Sequence, residues 1–305
     1  MDLFVFPERP LLLDGGMGRE LRFRGVDTLK PSWSASALLT DPEVVRQIHS
    51  DYISAGADMI TTNTYGVIRT DLAKEGLDDQ FVKLNQIACE LAKKAQDLSD
   101  HPVYIAGSLP PLRGSFRPDL VGEVSEIEPL YREQAELLAP HVDLLLCETM
   151  SSVAEGYAAA TAACQTGKPV WVGWTLHETQ PGKLRSGESI VEANTALKNL
   201  PINGILANCC TPESVTSVIH ELIATGKEFI GGYANTFQEI NETWTLTGDD
   251  ETSGIIPLRV DLDPAEYGEH VAGWIKAGAT VVGGCCGTRP AHIAELHRLI
   301  QDGTP

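Results

Sequence analysis

The sequence predicts a single-domain α/β protein, a closed (β/α)8 TIM barrel spanning residues 1–305. Eight short apolar runs alternate along the chain with eight amphipathic stretches. The runs are continuously apolar, as expected of parallel strands that are buried on both faces. A length of 305 residues is normal for such a barrel and is sufficient for a large core.

The predicted strands are rich in leucine and β-branched residues, and each ends in glycine or polar residues. In chain order they lie at 11–16, 58–65, 103–110, 142–150, 169–176, 202–210, 229–235 and 279–286. An open doubly wound sheet is the alternative arrangement. The closed barrel is favoured because the sequence contains neither G-x-G-x-x-G nor G-x-x-x-x-G-K-[ST].

A helix is predicted after each strand. The first, at 41–56, begins with Asp41 at the N-cap position and Pro42 in the first turn, and it ends at a glycine. The other seven lie at 78–96, 127–140, 152–167, 188–200, 211–226, 263–278 and 289–300. The segments after the first, third, fifth and seventh strands are long, and in a barrel they surround the active-site face, where such loops can act as lids.

Composition narrows the class of partner. The formal net charge of −19 argues against a nucleic-acid or anionic-membrane partner and suits a cationic ligand, although acidity often serves solubility alone. The N-terminus lacks the features of a signal peptide, and no apolar run reaches the length of a membrane span. The chain has 7 cysteines, an odd number, so we expect a reducing cytoplasmic location rather than a disulfide framework.

Polar residues stand at the ends of most of the predicted strands. Because the carboxyl ends of parallel barrel strands meet at one mouth, we expect these side chains to converge. They are Asp14, Thr61, Thr62, Asn63, Thr64, Glu148, Thr149, Asn208, Cys209, Cys210, Asn235, Cys285 and Cys286.

Two pairs of adjacent cysteines, at 209–210 and 285–286, follow the sixth and eighth strands. Zn²⁺ prefers thiolates in a tetrahedron, so three protein thiolates would form an open catalytic site and four a closed structural one. The common C-x₂-C spacing is absent. Adjacent cysteines can both ligate only where the backbone turns, which Gly283, Gly284 and Gly287 permit. The alternatives are buried thiols that act as small hydrophobes, or a disulfide.

Other interpretations of the mouth residues remain open at this point. Glu148 could cap the next helix, Asp14 could be a turn former, and the threonines at 61–64 could reflect β-propensity alone. The remaining cysteines, Cys89, Cys147 and Cys164, are interpreted as packing residues. A metal-free lyase or aldolase using Glu148 and a lysine is a further alternative, but no lysine stands at a strand end.

Five stretches, in order, resemble the homocysteine S-methyltransferase family. They are LLLDGGMGRELRFRGV, PSWSASALLTDPEVVRQIHSDYISAGADMITTNTYG, DLLLCETM, LANCC and VVGGCCGTRPAHI. The resemblance covers nearly the whole chain, and the Asn-Cys and Gly-Gly-Cys-Cys-Gly motifs are specific. It implies a (β/α)8 barrel that holds one Zn²⁺ through three cysteines and acts as a stand-alone thiol methyltransferase.

The resemblance also implies roles for particular residues. Zn²⁺ would be held by Cys209, Cys285 and Cys286, whereas Cys210 stands where the family requires no cysteine. Glu148 matches the glutamate that holds the homocysteine amino group. The remaining matches are the amino-acid clamp of Asp14, Gly15, Gly16 and Thr62, and an asparagine near the metal, Asn235.

The implied reaction is methyl transfer to L-homocysteine from a cationic donor, giving L-methionine. S-methylmethionine is the expected donor, because PSWSASALL and the CETM context are most similar to that branch. S-adenosylmethionine, betaine or a dimethylsulfonio compound as donor, and selenohomocysteine or selenocysteine as acceptor, remain open. A protein with a closed four-cysteine zinc site that includes Cys210 is the non-enzyme alternative.

Overall fold

Eight parallel strands form one continuous barrel. The computed structural model describes residues 8–247 and 254–303. The strands pair in the order β1-β8-β7-β6-β5-β4-β3-β2, and a parallel bridge between Leu13 and Met59 joins β1 to β2. The strands are β1 Leu11–Leu12, β2 Met59–Thr61, β3 Tyr104–Leu109, β4 Leu144–Met150, β5 Val170–Trp174, β6 Gly204–Asn208, β7 Phe229–Ala234 and β8 Val281–Gly284.

This topology confirms the predicted barrel and excludes the open doubly wound sheet. All eight predicted strands are present, but they are shorter than predicted, and β1 has only 2 residues. The differences lie at both ends of the strands, and at the carboxyl ends Asp14 and Cys285 lie beyond the last strand residue. These residues leave the sheet so that their side chains can face the mouth.

The strand residues divide between two apolar layers, because successive side chains on a strand point to opposite faces. In β4, Leu144 and Leu146 pack inside the barrel, whereas Leu145 and Cys147 pack against the surrounding helices. The interior layer is capped at the mouth end by polar residues. The barrel is therefore a filled core that supports a site at one end.

Helices surround the barrel. They are α1 Met17–Phe23, α2 Ala37–Thr40, α3 Pro42–Ser54, α4 Arg69–Ala73, α5 Phe81–Asp97, α6 Val124–Leu138, α7 Val153–Cys164, α8 Ile190–Ala196, α9 Pro212–Ile223, α10 Pro264–Ala277 and α11 Pro290–Gln301. Each of the eight predicted helices is present. The short helices α1, α2 and α4 were not predicted, because 4 to 7 residues are too few to show a hydrophobic period.

Two details of the chain complete the fold. Asp41 stands at the N-cap position of α3 as predicted, but its side chain makes no capping hydrogen bond. The long segment between β7 and α10 borders the mouth, and its residues 248–253 lie outside the described part. Within the described ranges, no helix has the length and apolar character needed to cross a lipid bilayer.

Candidate metal and substrate site

A cavity of about 300 Å³ opens at the carboxyl ends of the strands. Most of the predicted site residues line it, so strand ends far apart in sequence do meet at one place. Asn235 is fully buried and does not line the cavity. The predicted residues that line it are Asp14, Gly15, Gly16, Thr62, Glu148, Cys209, Cys285 and Cys286.

Three of the cysteines form one cluster. The Sγ atoms of Cys209, Cys285 and Cys286 all lie within 4.8 Å of one another, and the Cys209 and Cys286 Sγ atoms are 3.9 Å apart. Zn–S bonds of about 2.3 Å in a tetrahedron place neighbouring sulfurs about 3.8 Å apart. The cluster therefore has the donor type and spacing that a tetrahedral thiolate site requires.

The backbone at the end of β6 decides which of its two cysteines joins the cluster. Cys209 has a left-handed φ of 51°, which is costly for a residue with a Cβ. Its carbonyl accepts a hydrogen bond from Thr175 Oγ1 at 3.1 Å. Cys210 then points to the opposite face, where it is fully buried in the layer between strands and helices. A closed four-cysteine site is thus disfavoured.

A different turn aims both cysteines of the second pair at the cavity. β8 ends at Gly284, and Gly287 has a φ of 85°, a conformation that glycine adopts without steric cost. The Cys285 carbonyl accepts from Thr288 Oγ1 at 2.7 Å. The Cys286 carbonyl accepts from the Thr236 amide at 2.9 Å. Both carbonyls are therefore held, and the two thiols reach the same point as Cys209.

Replacement of Gly16 by alanine is expected to disturb this turn and to weaken metal binding. An added Cβ would lie 2.7 Å from the Cys285 carbonyl oxygen and 3.1 Å from Cys286 Cα, and neither backbone atom can move alone. The metal dissociation constant, measured by competition with a chelator, should rise at least about 10-fold, the lower range for perturbed metal-ligand support. Gly273→Ala is the control, because nothing lies within 4 Å of that position; an unchanged constant for Gly16→Ala would contradict the expectation.

The thiols of the cluster differ in the direction of their pKa shifts. Hydrogen bonds from Cys209 and Cys285 hold the pKa of Cys286 well below its usual range, and the nearby Arg19 guanidinium acts in the same direction. The pKa of Cys285 is raised, because its thiol donates within the cluster and is buried beside the other two. The hydrogen bonds and the Arg19 charge thus favour the ionised form of Cys286 over that of Cys285.

Two buried carboxylates face the same cavity. Asp14 accepts from the Thr61 amide at 2.9 Å and from Thr61 Oγ1 at 3.2 Å. Glu148 accepts from Ser108 Oγ at 2.5 Å and from Tyr233 Oη at 3.3 Å. Helix α7 is capped by Ser152, so Glu148 does not serve as a helix cap. Both carboxylates are thus held in place, and neither forms an ion pair with a basic side chain in the described part of the chain.

Burial raises the pKa of both groups. The pKa of Asp14 is raised to about 8, with a smaller contribution from the negative charge of Glu148. The pKa of Glu148 is raised to about 7, and the nearby Cys286 thiolate contributes in the same direction. A cation placed between these groups would reverse both shifts, because an opposite charge favours the ionised carboxylate. The pair is suited to bind an ammonium group.

The remaining predicted residues have structural contacts of their own. Thr62 Oγ1 accepts from the Ser108 amide at 3.1 Å and so supports the strand that carries Ser108. Asn235 Oδ1 accepts from the Phe237 amide at 3.1 Å, whereas its Nδ2 atom is buried without a partner among the described residues. Both residues therefore brace the mouth, and Asn235 leaves one donor unused.

The Asn208 side chain connects the strand end that carries Glu148 to the strand end that carries Cys209. The sequence did not predict this contact. Its Oδ1 accepts from the Thr149 amide at 2.9 Å and its Nδ2 donates to Thr149 Oγ1 at 3.0 Å. The side chain crosses Gly173 of β5, where an added Cβ would lie 2.6 Å from Oδ1. Because Thr149 follows Glu148 and Asn208 precedes Cys209, the bridge fixes the carboxylate relative to the thiols.

Asn208→Ala should weaken metal binding as well as stability. The substitution leaves the buried Thr149 amide unpaired, which costs about 1–3 kcal/mol of unfolding free energy, measurable by denaturant titration. Loss of support next to Cys209 should lower metal affinity by about 10–100-fold. Asn203→Ala is the matched control: its Oδ1 accepts from the Val170 amide at the opposite end of β6. Equal metal affinity in the two variants would contradict a positioning role for Asn208.

The sequence also did not predict the two hydrogen-bond donors to Glu148, Ser108 and Tyr233. Ser108 lies inside an apolar strand 40 residues before Glu148, and Tyr233 lies 85 residues after it. Both occupy inward-facing positions near the carboxyl ends of their strands. The available signal was the period-2 alternation within β3 and β7, which assigns inward positions once the barrel is assumed.

The fold and this site define a (β/α)8 barrel protein with a three-cysteine candidate metal centre beside two buried carboxylates. A sequence model of the family described as homocysteine S-methyltransferase matches residues 11–300. Homocysteine S-methyltransferase from Escherichia coli (strain K12) is 30% identical, over 94% of this chain and 94% of the relative. Selenocysteine methyltransferase from Astragalus bisulcatus is 29% identical, over 97% of this chain and 94% of the relative.

The fold comparison agrees. The crystal structure of the metallated form of the homocysteine methyltransferase MmuM from Escherichia coli superposes with a TM-score of 0.80 at 27% identity, covering 95% of this chain and 96% of that one. The chain belongs to the homocysteine S-methyltransferase family, a family of enzymes.

Proposed function

We propose that this protein transfers a methyl group from a sulfonium donor, S-methylmethionine in the first instance, to L-homocysteine, giving L-methionine. The observation that carries the proposal is the convergence of three thiols and two buried carboxylates on one cavity. The thiols suit a soft metal that binds the acceptor's sulfur. The carboxylates suit its ammonium group. The predicted cytoplasmic location is compatible with seven free cysteines.

The cofactor in this proposal is Zn²⁺, held by Cys209, Cys285 and Cys286. The three sulfurs have the donor type and spacing of a zinc–thiolate site, and they leave a fourth position for a substrate atom. When bound, the ion lowers the pKa of a coordinating thiol and so supplies a thiolate at neutral pH.

The chain's own residues position the substrates. Glu148 and Asp14 bind the acceptor's ammonium group, and the Gly15–Gly16 backbone and Thr62 shape the surrounding wall. Four apolar side chains pack around Cys209 and keep water from the reacting atoms; they are Phe116, Phe237, Ile240 and Ile256. Nearby aromatic faces, including that of Trp244, suit the methyl groups of an onium donor.

The reaction is one in-line displacement. The acceptor sulfur forms a bond to the donor methyl carbon while the bond between that carbon and the donor sulfur breaks. The electron pair of the broken bond stays on the donor sulfur, which leaves as a neutral thioether. The thiol proton is released to solvent, so the protein needs to supply positioning and charge rather than a general base.

A donor screen tests the proposal. Reduced, zinc-loaded protein is incubated with isotope-labelled L-homocysteine and, in turn, S-methylmethionine, S-adenosylmethionine, betaine and dimethylsulfoniopropionate. Labelled methionine is measured by chromatography, because S-methylmethionine itself leaves as a second, unlabelled methionine. We expect the fastest production with S-methylmethionine. Faster production with another donor would correct the donor assignment, and no methionine from any donor with zinc bound would contradict the reaction.

Selenocysteine is the second acceptor to include in this screen. A relative that is 29% identical over 97% of this chain is named selenocysteine methyltransferase. A selenol is more acidic and more polarisable than a thiol, so the same site could accept it without a change in mechanism. Higher kcat/KM for selenocysteine than for homocysteine would assign the protein to that acceptor.

A further inference from the structure

Arg19 of α1 is a buried cation that forms no ion pair with any carboxylate of the described residues. Its side chain lines the cavity, and the residue is only 8% exposed. Its Nη2 donates to the Ile256 carbonyl at 2.9 Å, and its guanidinium lies 5.2 Å from the centroid of the Phe237 ring. Among the residues that the structure describes, no carboxylate forms an ion pair with it. Arg185, equally buried, does have such a partner in Glu178 at 3.2 Å.

A buried charge is costly unless it is paired. The negative charge of Cys286 favours the charged form of Arg19 and so raises its pKa, but a metal ion would share that thiolate. The Nε and Nη1 donors of Arg19 make no hydrogen bond to any described residue. Only one Nη2–H is used by a described partner. The second Nη2–H therefore still forms, with either Nε–H or an Nη1–H, the parallel pair that binds a carboxylate through two oxygens.

Arg19 has different neighbours from Asp14 and Glu148, the two carboxylates that would bind the acceptor's amino group. Asp14 and Glu148 are held by residues of β2, β3 and β7 inside the barrel. Arg19 instead contacts Phe237 and Ile256, which belong to the segment between β7 and α10. The carboxylates and the guanidinium thus mark an inner and an outer part of one cavity.

A cation at the outer part would repel a donor that carries only positive charge. A donor that carries an onium group and a carboxylate would instead satisfy both Arg19 and the aromatic wall. We propose that Arg19 binds the carboxylate of the methyl donor and selects zwitterionic donors over purely cationic ones. This inference rests on the proposed methyl transfer and names the donor class for it.

The competing role for Arg19 is to offset the negative charge of the thiolate cluster. That role predicts equal loss for every donor, whereas carboxylate binding predicts a loss only for donors that carry one. The probes are S-methyl-L-methionine and its carboxamide, which differ only in the carboxylate. The variants are Arg19→Met and Arg19→Lys. Arg22→Met is the control, because Arg22 lies on the same helix and does not line the cavity.

For the holoenzyme with Arg19→Met, we expect KM for S-methylmethionine to rise about 10–100-fold, as for the loss of a charge-assisted hydrogen bond. KM for the carboxamide and for homocysteine should stay within about 3-fold, a factor worth less than 1 kcal/mol. Arg19→Lys should lie between wild type and Arg19→Met. Equal losses for both donors, or a rise confined to homocysteine, would overturn the proposal.

Direct binding separates this proposal from the reaction itself. Calorimetric titration of the zinc-loaded protein with each probe, without homocysteine, needs no turnover. Wild type should bind S-methylmethionine at least about 10-fold more tightly than the carboxamide, and Arg19→Met should lose the difference. That result without methionine formation would support Arg19 while contradicting the proposed reaction. Equal binding of both probes to wild type would overturn the proposal without relying on any variant.

Discussion

Cys286→Ala is expected to lose its zinc and nearly all methyl transfer. Removal of one thiol leaves two protein ligands, fewer than a catalytic zinc site uses. Changes in residues that only support metal ligands already cost about 10–100-fold, so loss of a ligand should lower kcat/KM by more than about 100-fold. Zinc content after dialysis and methionine formation are the two measurements.

Cys210→Ala is the matched control for this loss. Cys210 is adjacent to Cys209 but lies fully buried in the layer between strands and helices. The variant should cost about 1 kcal/mol of unfolding free energy, as for a small cavity, and should retain its zinc. X-ray absorption should show three sulfur atoms from the protein bound to zinc, and a fourth sulfur, from the substrate, when homocysteine is added. Normal turnover by Cys286→Ala, or zinc loss by Cys210→Ala, would contradict the site assignment.

Glu148→Gln is expected to raise KM for homocysteine by at least about 100-fold, since removing one partner of a buried ion pair costs about 3–5 kcal/mol. KM for the donor should change little, because Glu148 lies at the inner part of the cavity. Glu155→Gln is the control: burial raises the pKa of that carboxyl to about 7 as well, but Glu155 bonds Ser151 and does not line the cavity. A homocysteine KM that rises equally in both variants would contradict the assigned role.

The same variant should stabilise the metal-free protein at high pH. The pKa of Glu148 is about 7 in the folded state and about 4.3 in an unfolded chain. Because the folded pKa is raised, this residue's contribution to stability is present below pH 4 and is lost as pH rises through 7. Glu148→Gln should therefore match wild type at pH 4.5 and exceed it by about 3 kcal/mol at pH 8.

Chemical denaturation of chelator-treated, reduced protein at both pH values measures this difference. Asp14 retains part of the pH dependence in the variant, since burial raises its pKa to about 8. Added homocysteine should stabilise wild type at pH 8, because the bound ammonium favours the ionised carboxylates. It should not stabilise Glu148→Gln, so the difference in unfolding free energy between the two proteins should become smaller. A gap that is independent of pH would show that Glu148 is not the group that titrates.

The fold was predictable because it depends on patterns that each segment carries by itself. Continuous apolar runs separated by amphipathic helices require a parallel sheet covered on its outer face, and all eight strands and eight helices were found from this. Placement of Asp14, Glu148, Cys209, Cys285 and Cys286 at the mouth followed from the same reasoning, because every strand of a parallel barrel ends at one face; Cys210 was expected there too, but it lies between strands and helices. The short helices α1, α2 and α4 carry too few residues for such a pattern.

Only the tertiary structure decided how the side chains at the mouth combine. Strand-end position alone does not distinguish Cys209 from Cys210. The family resemblance implied Cys209, and the left-handed backbone at Cys209 supplies the physical reason. The partners of Glu148, the Asn208 bridge and the isolation of Arg19 depend on contacts between segments 40 to 237 residues apart. Periodicity along the chain shows which face a residue takes, but the direction of a side chain beyond the strand end, and the charges around it, are decided by the other segments that close the barrel.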